Sequence, residues 1–165
     1  MIATTNNTTQ TTVKMILDRW YAQINNFEKA LASLSDEQLQ QEISPGKNRG
    51  IYLLGHLTAV HDHMLVLLDA TKKLLYPELV NPFIESPDKT VSELPSTKDL
   101  RAYWTKVNDT LTQHINSLEP EDWFEKHTAV SPEDFAKEPH RNKLNIIITR
   151  TSHLSYHLGQ FVLIK

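Results

Sequence analysis

The sequence predicts an all-α fold, a four-helix bundle with long connections between helices two and three and between helices three and four. Three observations carry this. Apolar residues recur at three- and four-residue steps along the chain, the spacing that gathers them on one face of a helix. Two proline-bearing stretches without periodicity interrupt the pattern, each too long for a tight turn between antiparallel neighbours. No segment shows a competing strand signal: "NIIIT" is β-branched, but it sits inside an uninterrupted run too long for a strand.

Residues 1–9 are polar and are read as a flexible tail, with residues 10–165 forming one domain. Val13, Ile16, Leu17, Trp20, Ile24, Phe27, Leu31 and Leu34 then mark helix one. "SDEQ" from Ser35 is a capping-box arrangement for a short extra turn, and "SPGKN" breaks the chain. Asn48 is the expected N-cap of helix two, which should run from Arg49 to Leu75 and stop before Pro77. The stretch 76–95 carries four prolines and is expected to cross one end of the bundle. Ser96 with Asp99 opens helix three, whose stripe is Leu100, Trp104, Val107, Leu111, Ile115 and Leu118. "PEDW" adds a turn, Pro132 follows Ser131 at a helix start, and helix four runs from about Asn142 to the C-terminus.

Composition narrows the chemistry. With 39% hydrophobic and 22% charged residues, the 165-residue chain has the balance of a globular protein. The net charge of -3, with basic residues dispersed among acidic ones, offers no stripe to follow a phosphate backbone, so nucleic acid is not an expected partner. Without cysteine the chain has no disulfide and no thiol nucleophile, and any metal must be held by nitrogen or oxygen. "MIATTNNTTQTT" lacks the basic and apolar regions of a secretory signal, and no apolar run is long enough to span a membrane. A cytoplasmic location is expected.

Histidines provide the candidate site. His153 and His157 stand four residues apart, one helical turn, and can aim at a common point. Their face also carries Ile146, Thr149, Gln160 and Ile164. Buried imidazoles need partners, and a hydrogen-bonded pair is the bland alternative to a metal. The HExxH metalloprotease pattern is absent, since Leu154 and Ser155 fill the intervening positions. On helix two, His56 shares a face with Tyr52, Leu53, Val60 and Leu67. Three imidazoles from two helices suit a divalent ion, nickel or zinc foremost and iron, manganese, cobalt or copper as alternatives, and leave positions open for water or substrate. His63, about 10 Å further along the axis, is a pocket candidate, as are Gln160 and Tyr156. His61 is turned away from His56 and is expected to be exposed. His114, His127 and His140 are read as surface residues. Di-iron chemistry is set aside, because the chain has no Glu-x-x-His motif.

"NRGIYLLGHL" entering helix two and "HLSYHLGQ" in the last helix resemble the DinB-like (YfiT-like) four-helix-bundle proteins. "LASLSDEQL", "SELPSTKDLRAYW" and "LEPEDW" also look like segments of that family, so the resemblance covers nearly the whole chain. Arg49 is a departure, standing where relatives often have a small polar residue. The resemblance implies an up-down-down-up bundle with a divalent metal on His56, His153 and His157, and a homodimer. It also implies thiol-dependent chemistry with a low-molecular-weight thiol.

The expected function is therefore a metal-dependent S-transferase that directs an external thiol at a small electrophile. The first alternative is a hydrolase in which the same ion activates water. A hydrolase usually wants a carboxylate base, and none is expected on the inward faces of helices two and four. The second alternative is a non-catalytic metal-stabilised bundle that serves as a ligand-binding or interaction module.

Overall fold

The computed structural model describes the backbone of residues 2–164 and the side chains of residues 7–164. The long helices are α1 (Ile2–Ala32), α3 (Gly50–Leu67), α4 (Thr97–Ile115) and α6 (Lys143–Phe161), with short helices α2 (Asp36–Leu39) and α5 (Pro132–Lys137) between them. Among the described residues there is no strand, and β pairing is limited to the isolated bridges Glu42↔Arg49 and Lys126↔Asn142.

In α1, Val13, Trp20, Ile24, Phe27 and Leu31 are buried, with Ile16 and Leu17 packed beside them. The helix begins earlier than expected. Residues 2–9, read as a flexible tail, continue it, while Met1 lies outside the described residues. No glycine or proline interrupts this stretch, and the Thr12 hydroxyl donates to the Thr8 carbonyl at 2.8 Å, a local bond that lets threonine sit inside a helix. At the far end Arg101 of α4 donates to the carbonyls of Leu31 and Leu34 (2.9 and 2.7 Å). It satisfies groups that a helix C-terminus leaves without intrahelical partners. The capping box of α2 forms as the sequence predicts, between Ser35 and Gln38.

Helix α3 buries Ile51, Leu53, Leu54, Leu57, Ala59, Val60, Met64 and Leu65, residues that point in every direction around its axis, as in a helix enclosed by others. Two expectations for it are corrected. Its N-cap is Arg49, not Asn48, and no side chain caps it. The Asn48 carbonyl instead accepts the Ile43 amide (3.0 Å), and the Arg49 amide donates to Asp88 (2.8 Å). The helix also stops at Leu67, not Leu75. Asp69 takes a left-handed conformation (φ 63°), and the Ala70 amide turns back to the Leu65 carbonyl at 2.8 Å. The buried carboxylate of Asp62 accepts the amides of Leu75 and Tyr76 (2.9 and 2.8 Å), so the chain folds back on the helix instead of prolonging it.

Contact pairs fix the helix directions. His61 meets Asn108 and Leu68 meets His114, so α3 and α4 run the same way. Tyr21 meets Asn116 while Leu31 meets Arg101, so α1 opposes α4. His56 meets His153 and Gly50 packs on Ile164, so α6 opposes α3. Phe27 packs on Phe161, and Met15 shares a groove with Ile148, so α1 and α6 run together.

Two parallel helices in succession require the chain to return over their length. The connection of 76–95 does not merely cross one end, as expected, but runs back along α3. It holds a 3-10 turn at Pro77–Leu79 and a π-helical turn at Asn81–Glu85. Phe83 of that turn lies so close to Gly55 that a β-carbon there would collide with the ring. Tyr52 donates to the Ser86 carbonyl (2.9 Å), and the Arg49 guanidinium grips Asp88. In the second connection Trp123 is buried, and Thr128 donates to the carbonyls of Val66 (hydroxyl, 2.9 Å) and Leu67 (amide, 3.1 Å), satisfying the end of α3. Ser131 caps α5, and Asn142 caps α6 by accepting the Asn145 amide.

Candidate metal centre

The antiparallel pairing of α3 and α6 sets His56 against His153 and His157. The Nε2 atom of His153 lies 3.2 Å from Nε2 of His56 and 3.1 Å from Nε2 of His157. Every ligand atom of the three falls within 4.8 Å of the others. His56 donates from Nδ1 to the Phe83 carbonyl (2.8 Å), and since a carbonyl only accepts, the proton must sit on Nδ1. Gln160 Oε1 accepts in the same way from Nδ1 of His157 (2.8 Å). Both rings therefore aim an Nε2 lone pair at the centre.

This donor set fits a cation. Lone pairs at such distances repel unless a positive centre lies between them, and a single proton on His153 Nε2 serves only one of the two contacts. An ion roughly 2.0–2.1 Å from each imidazole nitrogen would put the nitrogens roughly 3 Å apart, close to the 3.2 and 3.1 Å that separate His153 Nε2 from its two neighbours. His153 Nδ1 is buried without a partner, so its tautomer is free to follow what occupies the centre.

The electrostatics favour neutral rings. Burial, together with the nearby rings of His157 and His56, pushes His153 down to about 4. Burial also lowers His56 and His157, opposed by the bonds to the Phe83 carbonyl and to Gln160. Neutral imidazole is the form that binds metal.

Beside the cluster opens a cavity of about 380 Å³ lined by His56, Val60, His63, Val66, Leu67, Ile84, Arg150 and His153. His63 thus shares a cavity with two of the proposed ligands; its Nδ1 donates to the Ala59 carbonyl (2.8 Å), which leaves Nε2 as an acceptor. Gln160 accepts from His157 and donates to the Tyr156 hydroxyl (3.2 Å), so it orients the His157 ring. Tyr156 is 65% exposed, with its ring edge-on to His157 at 5.0 Å. Tyr52 stacks on His56 with ring centroids 6.3 Å apart. A larger cleft of about 580 Å³, lined by residues including Gln40, Arg49, Lys89 and Thr97, contains no histidine. Its cations are already paired, Arg49 with Asp88 and Lys89 with Glu42.

Other histidines depart from expectation. His61 is not exposed: it is fully buried between Trp20 and Trp104, with Nδ1 2.9 Å from Asn108 Oδ1. His114 and His127 are half-buried, and His114 donates to the Leu68 carbonyl at 3.0 Å; His140 is exposed as read. Asp62 is a buried carboxylate on α3, but the amides of Leu75 and Tyr76 occupy it. Arg150 and the Phe83 carbonyl went unforeseen. Arg150 stands three residues before His153, a visible spacing, whereas a backbone carbonyl leaves no signal in the sequence.

No helix among the described residues is long and apolar enough to cross a membrane. A search among curated proteins finds no match. The sequence model of the DinB superfamily matches residues 19–161, a span that holds α3, α6 and all three converging histidines, and the chain belongs to that superfamily.

Proposed function

We propose that the protein is a metalloenzyme in which His56, His153 and His157 hold one divalent ion, zinc or nickel foremost, and in which an external small thiol is activated for transfer to an electrophile. The observation that supports this reading best is the meeting of three Nε2 atoms from two antiparallel helices. Such an ion supplies Lewis acidity, which lowers the pKa of a coordinated thiol or water far below its free value.

The chain's own residues complete the arrangement. The Phe83 carbonyl and Gln160 fix the rings of His56 and His157 in the tautomer that presents Nε2. His63 takes the proton that the thiol releases, through its open Nε2 in the same cavity. Val60, Val66, Leu67 and Ile84 keep one wall dry. The same His63 nitrogen would serve equally to deprotonate water, and this availability favours hydrolysis as the second reading.

Elemental analysis of tag-free protein, reconstituted with zinc or nickel, is expected to find one ion per chain in the wild type and almost none in His153→Ala. Thiol conjugation to a small electrophile should fall at least about a hundredfold in that variant. A wild type that takes up no ion, or a variant that keeps full activity, would overturn the proposal.

A further inference from the structure

We propose that Arg150 is the anion-recognition residue of the histidine-lined cavity and selects a small substrate carrying one carboxylate on an apolar body. Placing that substrate beside a reaction rests on the reading of His56, His153 and His157 as a metal site. The arginine's own pairing does not.

Arg150 lies about one turn before His153 on α6 and lines the cavity with it. Its Nε is buried without a hydrogen-bond partner, and its guanidinium pairs with no described residue. Three other arginines are paired, Arg49 with Asp88, Arg101 with Asp36 and Arg141 with Glu138, and Arg19, which has no ion pair, is exposed to solvent. Burial lowers the pKa of Arg150, with no acid acting in the other direction. No Asp or Glu lines the cavity. A half-buried guanidinium without a counter-ion is costly, and a planar carboxylate matches its donor fork.

The rest of the cavity sets the class of ligand. Val60, Val66, Leu67 and Ile84 form an apolar wall suited to an alkyl or aryl body. Arg150 is the one Lys or Arg on the wall, which suits a single negative charge better than a multiply charged phosphate. The three metal-binding candidates are neutral imidazoles, so an ion held there would keep its full double charge and add to the same positive field.

The test uses hexanoate and its uncharged counterpart hexanamide as probes, with binding measured by calorimetry on metal-free and metal-loaded protein. In the metal-free wild type, hexanoate is expected to bind at least about tenfold more tightly than hexanamide. Arg150→Gln should erase that preference, and Arg150→Lys, which keeps the charge but not the fork, should fall between. Circular dichroism melts identify any variant that fails to fold, in which case Arg150→Lys decides. Equal affinity of the wild type for the two probes, or hexanoate binding unchanged in the substituted protein, overturns the proposal. Metal content of the same samples separates the two readings: Arg150→Gln should load the ion normally. If the wild type takes up none, the metal reading fails while the metal-free comparison still decides the role of Arg150.

Discussion

His61 shows how one buried side chain makes stability depend on pH. Enclosed by Trp20, Trp104 and Asn108, it is pushed by burial down to about 3, against about 6.5 in an unfolded chain. Between these values the unfolded state holds the extra proton, so stability falls as pH drops from about 6.5 toward 3, at up to about 1.4 kcal/mol per pH unit. Urea denaturation at pH 7 and pH 5 should show a smaller acid-induced loss for His61→Gln than for the wild type. Equal losses would mean that His61 does not carry this dependence. The three histidines of the candidate centre were legible because helical spacing and an inward face are sequence properties. His61 was misread for a geometric reason: it does point away from His56, but that side of α3 packs against Trp20 and Trp104, so away from the site is still inside the protein. The isolation of Arg150 was illegible too, since the absence of acids around a side chain depends on packing between elements.

At the scale of elements, the most exacting contact is between α3 and the returning segment. Gly55 leaves no room for a side chain beneath Phe83, and overpacking of this kind typically costs about 1–3 kcal/mol. Gly55→Ala should lower the urea midpoint accordingly, and Phe83→Ala in the same chain should make the glycine substitution much less damaging. Additive losses would show that the two residues do not press on each other. Helix starts were readable wherever a side chain makes the cap, as at Ser35, Ser96, Ser131 and Asn142. The start of α3 was misplaced because its flanking backbone pairs with the Ile43 amide and with Asp88, 39 residues onward, instead of with a local capping side chain. Its end was misplaced because the Asp62 carboxylate binds amides thirteen and fourteen residues onward, a link that no local periodicity encodes.

For the whole molecule, an ion that binds the assembled histidines and not the unfolded chain must stabilise the fold. At a free concentration a hundred times its Kd the gain is about 2.7 kcal/mol, enough to raise Tm by several degrees for a chain of this size. Thermal melts with and without zinc or nickel should show that rise in the wild type and lose it in His153→Ala. No rise in the wild type would count against a preassembled centre. The parallel course of α3 and α4 has a consequence for how such a centre could change over time. The strap that doubles back between them supplies the carbonyl that stops the His56 imidazole from spinning. Connectivity and the aim of His56 are therefore welded together: lengthening or severing the strap near Phe83 would unlock the ring without altering any of the three histidines.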